Sequence, residues 1–165
     1  MQHVQTRSTT SALVLTAVLI ALATLFTMYT KIPVPGIRGY FNVGDVVIMT
    51  SALLLGRKYG AYIGAIGPAL ADLFLGYAVF VPITFVVKGI EGYLVGTVYN
   101  NKTTTSALVA TIVGGIVIVA GYFIAEYFVF DPGVAIASIL TNAIQAVMSV
   151  IVSIILYAIL RKRLG

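Results

Sequence analysis

The sequence has no cysteine, no tryptophan and a single histidine, His3, in a polar N-terminal tail. Without cysteine there is no disulfide framework, no thiol nucleophile and no Cys-ligated metal site. A lone tail histidine removes His-based catalytic dyads and most zinc sites. Charge is scarce as well: 9% of the 165 residues are charged, against about 25% in an ordinary soluble domain. Phosphate loops of the G-x-x-x-x-G-K-[ST] type, G-x-S-x-G elbows and H-E-x-x-H helices are missing too. The chain therefore offers no nucleophilic centre and no nucleotide engine, and it reads as something other than an enzyme. What fills the sequence is hydrocarbon: 60% of residues are hydrophobic and the mean hydropathy is +1.07. That excludes a water-soluble globule, and it excludes a disordered chain, which needs low hydrophobicity and high net charge.

A membrane-spanning helix takes roughly 20 mainly apolar residues. The sequence divides into six, predicting an all-α integral membrane protein. Its single transmembrane domain occupies 1–165 behind a short polar tail, 1–10. The predicted spans are about 11–29, 40–55, 59–77, 79–99, 105–128 and 134–160. Lys31 with Pro33, Pro35, Gly36, Arg38 and Gly39 breaks the chain after the first span. Gly56-Arg57-Lys58, Asn100-Asn101-Lys102 and Asp131-Pro132-Gly133 mark later turns. The second span is the weak one. From Val43 to Leu55 it has about 13 apolar residues, short for a 30 Å core, so it is expected to tilt, to pack inside the bundle, or to be lengthened through Tyr40 and Phe41. Ala21-Leu22-Ala23 resembles a signal-peptide cleavage site, yet the apolar stretch before it is longer than a signal core, so the first span is expected to stay.

The net charge of +5 reads as topology rather than as a nucleic-acid patch. With the N-terminus inside, Arg7, Arg57, Lys58, Lys102, Arg161, Lys162 and Arg163 fall on the inner side, and only Lys31 and Arg38 on the outer. The positive-inside bias then places both termini in the cytoplasm of a prokaryotic cell whose inner membrane the chain crosses repeatedly.

Ionisable groups within spans are costly to insert and carry a functional expectation by default. Asp45, Asp72 and Glu126 fall toward the outer ends of their spans, and Lys88 and Glu91 near the middle. The inner half of each span is nearly pure hydrocarbon. Thr84, Lys88 and Glu91 share one helical face, as do Ser138, Asn142, Gln145 and Ser149, and as do Tyr122 and Glu126. If these stripes merely satisfy one another, Lys88 pairs with Glu91 or Asp72. Crowded toward one side of the membrane, they instead outline a pocket for a small polar or zwitterionic ligand, with Tyr40, Phe41, Tyr93 and Tyr122 available for ring stacking. The loop 31–41 is placed to cover it. Small-xxx-small pairs (Ala17 and Ala21, Gly60 and Gly64, Gly92 and Gly96) mark helix contacts.

Several strings resemble the substrate-binding S components of energy-coupling factor (ECF) vitamin transporters. They are Gly39-Tyr40-Phe41-Asn42-Val43-Gly44-Asp45, Leu54-Leu55-Gly56-Arg57-Lys58-Tyr59-Gly60, Ala69-Leu70-Ala71-Asp72-Leu73-Phe74-Leu75-Gly76-Tyr77 and Lys88-Gly89-Ile90-Glu91-Gly92-Tyr93-Leu94-Val95-Gly96. Lys-Gly-x-Glu-Gly is most like the hydroxymethylpyrimidine or pyridoxine (HmpT-like) branch and its riboflavin-like relatives. The lack of tryptophan departs from the Trp-rich thiamin pocket. The resemblance implies capture of a vitamin from outside, then delivery inward with a transmembrane coupling subunit and two cytoplasmic ATPase subunits. ATP is then used by the partners, and this chain needs no cofactor. It places coupling-subunit docking on Ala17 and Ala21. It places the pocket on Lys88 and Glu91, with Asn142, Gln145, Asn42, Tyr122, Thr84 and Phe41 beside them. Asp45 and Asp72 are either structural or part of the pocket. The rival reading of the same stripes is a stand-alone transporter driven by an ion gradient, with Glu91, Asp72 or Glu126 carrying protons.

Overall fold

The computed structural model describes residues 9–33, 40–100 and 103–164. The tail with His3 and Arg7, the centre of the loop after the first span with Arg38, and the turn residues Asn101 and Lys102 lie outside them. Six helices follow one another: α1 (Thr9–Tyr29), α2 (Gly44–Leu55), α3 (Arg57–Phe74), α4 (Phe80–Val98), α5 (Thr104–Val129) and α6 (Pro132–Leu164). Between α1 and α2, β1 (Ile32–Pro33) and β2 (Tyr40–Phe41) form a small antiparallel ladder.

The helix ends follow local chemistry. Gly56 joins α2 to α3 at φ 90°, a left-handed conformation that glycine adopts without a Cβ clash, so the two helices reverse over one residue. Thr103 caps α5 by accepting from Ser106 N–H at 3.1 Å. Asp131 accepts from Gly133 and Val134 N–H at 2.8 and 3.1 Å, with Pro132 at the first helical position, where its missing N–H is harmless. Arg161, Lys162 and Arg163 occupy the last turn of α6, the negative end of the helix dipole.

Four helices (α1, α4, α5 and α6) are long and apolar enough to cross a membrane. The second predicted span differs from the rest. Tyr40 and Phe41 do not lengthen α2; they are strand residues, and α2 keeps 12 residues, about 18 Å of helix. It survives its shortness because it is the inner post of the bundle. It packs against α1, α3, α4 and α6, and every residue from Gly44 to Leu53 is buried. The main core cluster forms around it, with Met49, Ala52 and Leu53 meeting Val95, Ala110, Ile118, Ala146 and Tyr157. Outward, α1, α5 and α6 present Leu13, Val18, Ile116, Phe128, Leu140 and Val147, which suits hydrocarbon.

The glycine pairs of α3 and α4 face each other. A Cβ on Gly92 would collide with the Gly60 backbone, one on Gly64 with the Lys88 carbonyl, and one on Gly96 with Arg57. Backbone-to-backbone approach of this kind is how membrane helices gain packing when lipid is as apolar as leucine. At the end of the bundle away from the ladder, the hydroxyls of Tyr99 and Tyr157 hydrogen-bond, with Arg161 5.8 Å from the Tyr157 ring. The half of the bundle away from the ladder, expected to be nearly pure hydrocarbon, buries Thr50, Thr111, Ser149 and Ser153 as hydroxyls without charge. Replacing Gly92 by valine should separate α3 from α4 and cost about 1–3 kcal/mol, the usual range for overpacking, read as a lower melting temperature in detergent. Glycine-like stability of that variant would show that the interface yields.

Candidate functional site

Tyr40, Asn42, Asp72, Thr84, Lys88 and Tyr122 line a polar cavity together with Glu126, Ser138, Asn142 and Gln145. Thr27, Pro68 and Phe80 complete the wall. Its internal space is about 40 Å³, room for a few water molecules. Helices α1, α3, α4, α5 and α6 and strand β2 all contribute, so the cavity exists only in the assembled bundle. A larger groove between α5 and α6, bounded by Ile112, Phe123, Ile139 and Ile151 among others, has no polar side chain in its lining and offers a polar solute nothing to bind.

The centre of the polar network is Asp45, in the first turn of α2 and fully buried. One oxygen accepts from Lys88 Nζ. The other accepts from Gln145 Nε2 at 2.7 Å. Gln145 Oε1 in turn accepts the Asn42 backbone N–H at 3.0 Å, and Asn42 Oδ1 accepts from Gly44 N–H at 2.9 Å. One chain of bonds thus ties the exit of β2 through α6 to the α2–α4 ion pair. Lys88 Nζ also stands 3.8 Å from Glu91 Oε2 and 5.5 Å from the Tyr122 ring centroid. Tyr122 and Thr84 share a hydroxyl–hydroxyl bond of 2.9 Å.

Of the two partners expected for Lys88, Glu91 is found at ion-pair distance and Asp72 is not, while the closest partner was not foreseen. That partner is Asp45, 43 residues away in the chain. Spacing along one helix made Glu91 look nearest, but the i,i+3 carboxylate is the looser contact. Asp72 bonds instead to the Tyr40 hydroxyl at 2.5 Å. Burial, followed by the adjacent Asp72 charge, pushes the Tyr40 phenol up, so it stays a protonated donor. The Tyr40 ring lies 4.9 Å from Tyr77, and Lys31 Nζ sits 5.0 Å from the Tyr77 ring, forming an aromatic and cationic rim.

Of the predicted pocket residues, Lys88, Asn142, Gln145, Asn42, Tyr122 and Thr84 line the cavity. Glu91 does not: it lies fully buried behind Lys88, and neither oxygen has a hydrogen bond. Phe41 does not either; it is half-buried and pairs with Ile32 in the ladder. Tyr93, offered as a stacking ring, is exposed near the opposite end beside Arg57, 5.9 Å away. Tyr40, named as a stacking ring, and Ser138 and Glu126, named in the polar stripes, also line it, as does Asp72, left open between a structural and a pocket role. Thr27, Pro68 and Phe80 were not foreseen, since neither a lone threonine nor an apolar residue gives a polar signal within a span. Of the covering loop, the ladder residues lie at the rim, while 34–39 fall outside the described residues. Ala17 and Ala21 are exposed on the outer face of α1.

Removing Lys88 leaves both Asp45 and Glu91 buried without a cation, whereas removing Asp45 leaves Lys88 with Glu91. Lys88→Met should therefore destabilise more than Asp45→Asn, by about 3–5 kcal/mol for the lysine change. The double variant should regain part of the loss. Denaturation midpoints of the three proteins in detergent test the order, and additive losses would mean the pair is not coupled.

The family model described as "ECF-type riboflavin transporter, S component" matches residues 7–162. An uncharacterized protein of Pyrococcus woesei is 41% identical over 145 residues, covering 86% of this chain and 96% of that one. The thiamine precursor transporter HmpT of Lactococcus lactis is 30% identical over 149 residues, covering 89% of this chain and 83% of its own length. Among solved structures, an S component for biotin from an ECF-type ABC transporter superposes with a TM-score of 0.60 at 19% identity, over 91% of this chain and 94% of that one, a likeness of fold. A helical bundle with a buried polar cavity and this breadth of similarity belongs to the S components of ECF-type transporters: the chain is a multi-pass membrane subunit for vitamin uptake, not an enzyme.

Proposed function

We propose that this chain captures a small heteroaromatic vitamin precursor bearing hydrogen-bond donors, hydroxymethylpyrimidine first and pyridoxine second. It delivers the solute inward together with an ECF transmembrane coupling subunit and two ATPase subunits. The observation that carries this reading is the charge of the cavity. Asp72 and Glu126 line it while its single ammonium, Lys88, is held by Asp45. Two carboxylates face the cavity against one ammonium that is already paired, so a solute that donates is the complementary one. Vitamins that carry carboxylates, such as biotin, pantothenate and folate, would set like charges together in a low dielectric. The cavity must widen to take any ring, and less for a single ring than for the three fused rings of riboflavin; the similarity to HmpT points the same way.

The substrate-binding side chains in this reading are Lys88, Tyr122, Thr84, Asn142 and Asp72. Gln145 and Asn42 act by holding Asp45 and the strand, because their polar atoms are engaged in that chain of bonds. Glu91 supports Lys88 from behind. The chain supplies no nucleotide site of its own in this reading, so the energy comes from the partners. The exposure of Ala17 and Ala21 supports α1 as the docking face, since small residues allow a partner helix to approach closely.

Purified protein should gain thermal stability with hydroxymethylpyrimidine, and more than with pyridoxine or riboflavin; no stabilisation by any of these would sink the vitamin assignment. With the partner subunits present, Ala17→Trp and Ala21→Trp should each abolish uptake into vesicles and leave the dissociation constant unchanged. Loss of binding in those variants would move the docking face elsewhere, and uptake by the isolated chain that an uncoupler abolishes would favour the gradient-driven reading.

A further inference from the structure

Within the cavity, Glu126 is the carboxylate that no cation among the described residues supports. It is buried on α5 and accepts one hydrogen bond among the described residues, from Ser138 of α6 to Oε2. Ser138 also points at the Ala135 carbonyl, 3.0 Å away, so its one proton is divided between two acceptors. No lysine or arginine among the described residues stands within ion-pair distance of Glu126, since the ion pairs found join Lys88 to Asp45 and to Glu91. Asp45 is different, with both oxygens engaged, and Asp72 accepts from Tyr40 with Thr84 and the Lys88 charge also acting on it. The same cavity holds a second unmet group, the Thr27 hydroxyl, buried to 1% exposure without a partner. A carboxylate left this way in a low-dielectric interior is costly, and a donor from the solute would relieve it.

Resting on the reading of the cavity given above, we infer that Glu126, oriented by Ser138, is the specificity-determining acceptor for an exocyclic amine on the captured ring. The chemistry favours an amine over an alcohol. An aminopyrimidine presents an N–H beside a ring nitrogen, and that edge takes up a proton to become an amidinium-like fork. A carboxylate matches such a fork with two parallel bonds to a cation, a geometry a lone hydroxyl does not offer. A hydroxyl donates once and brings no charge. Glu126 thereby separates an aminopyrimidine from a pyridine alcohol of the same size, which Lys88 and Tyr122 alone do not.

The test is calorimetric titration of the full chain in detergent with hydroxymethylpyrimidine and with its oxo analogue, in which a carbonyl replaces the exocyclic amine. Wild type should prefer the amino compound. Glu126→Gln should weaken the amino compound about 10- to 100-fold, the range for a hydrogen bond to a charged group, and change the oxo analogue little. Ser138→Ala keeps the carboxylate but frees its rotation, and should lower the amino-over-oxo ratio severalfold; it serves as the second variant if Glu126→Gln does not fold. An unchanged ratio in the folded variants, or an equal loss for both compounds, overturns the assignment of Glu126 and leaves the uptake reading standing. A wild-type protein that binds neither compound overturns both.

Discussion

The contact between Lys88 and Asp45 sets the terms for the rest of the bundle. An ammonium on a helix that crosses hydrocarbon needs a counter-charge held in place. Here that charge comes from the first turn of α2, where the positive end of the helix dipole favours a carboxylate. For Asp45 to reach Lys88, α2 must begin inside the bundle rather than at its surface, and a 12-residue helix does that. The chain arriving from α1 must then descend through Tyr40 and Asn42, which carries Tyr40 into the cavity and Asn42 to Gln145. The short helix, the strand ladder and the position of the cavity are consequences of one ion pair.

That pair also requires α4 to sit close to its neighbours. The Gly64 position faces the backbone carbonyl of Lys88 itself, so the glycine contact between α3 and α4 fixes the height and direction from which the lysine side chain starts. Thr24 of α1 reaches the Gly67 carbonyl at 2.9 Å, fastening α1 to the same helix. Stability and binding geometry therefore share residues. A change that loosens α3 from α4 moves Lys88, and with it the cavity floor.

Much of this was legible in the sequence. Hydrophobic length gave the helices to within a few residues, and the Asp-Pro-Gly and Gly-Arg-Lys turns fell where caps form. The i,i+4 and i,i+7 stripes named most of the cavity, because residues on one helical face must look in one direction. The partner of Lys88 was not legible. Asp45 and Gln145 lie 100 residues apart, and periodicity within a helix carries no information about which face meets which. The same blindness placed Glu91 in the cavity, since it shares the stripe with Lys88 but sits a turn deeper. It also made Tyr40 and Phe41 a helix extension, because an apolar pair beside a short helix looks alike in both conformations.

The distribution of charge along the bundle bears on how a captured solute is let go. Acidic groups gather around the cavity, while Arg57, Lys58 and Arg161 to Arg163 stand at the other end. Attraction between a carboxylate and a donor solute is strong in a dry interior and falls severalfold once water raises the local dielectric. In the proposed reading, Asp72 and Glu126 would hold a donor solute tightly while the cavity stays dry, and loosely once water enters it. Release then needs motion and no covalent step. On that reading the residues of this chain determine what is held, and the proposed partner subunits would supply the work that ends the hold.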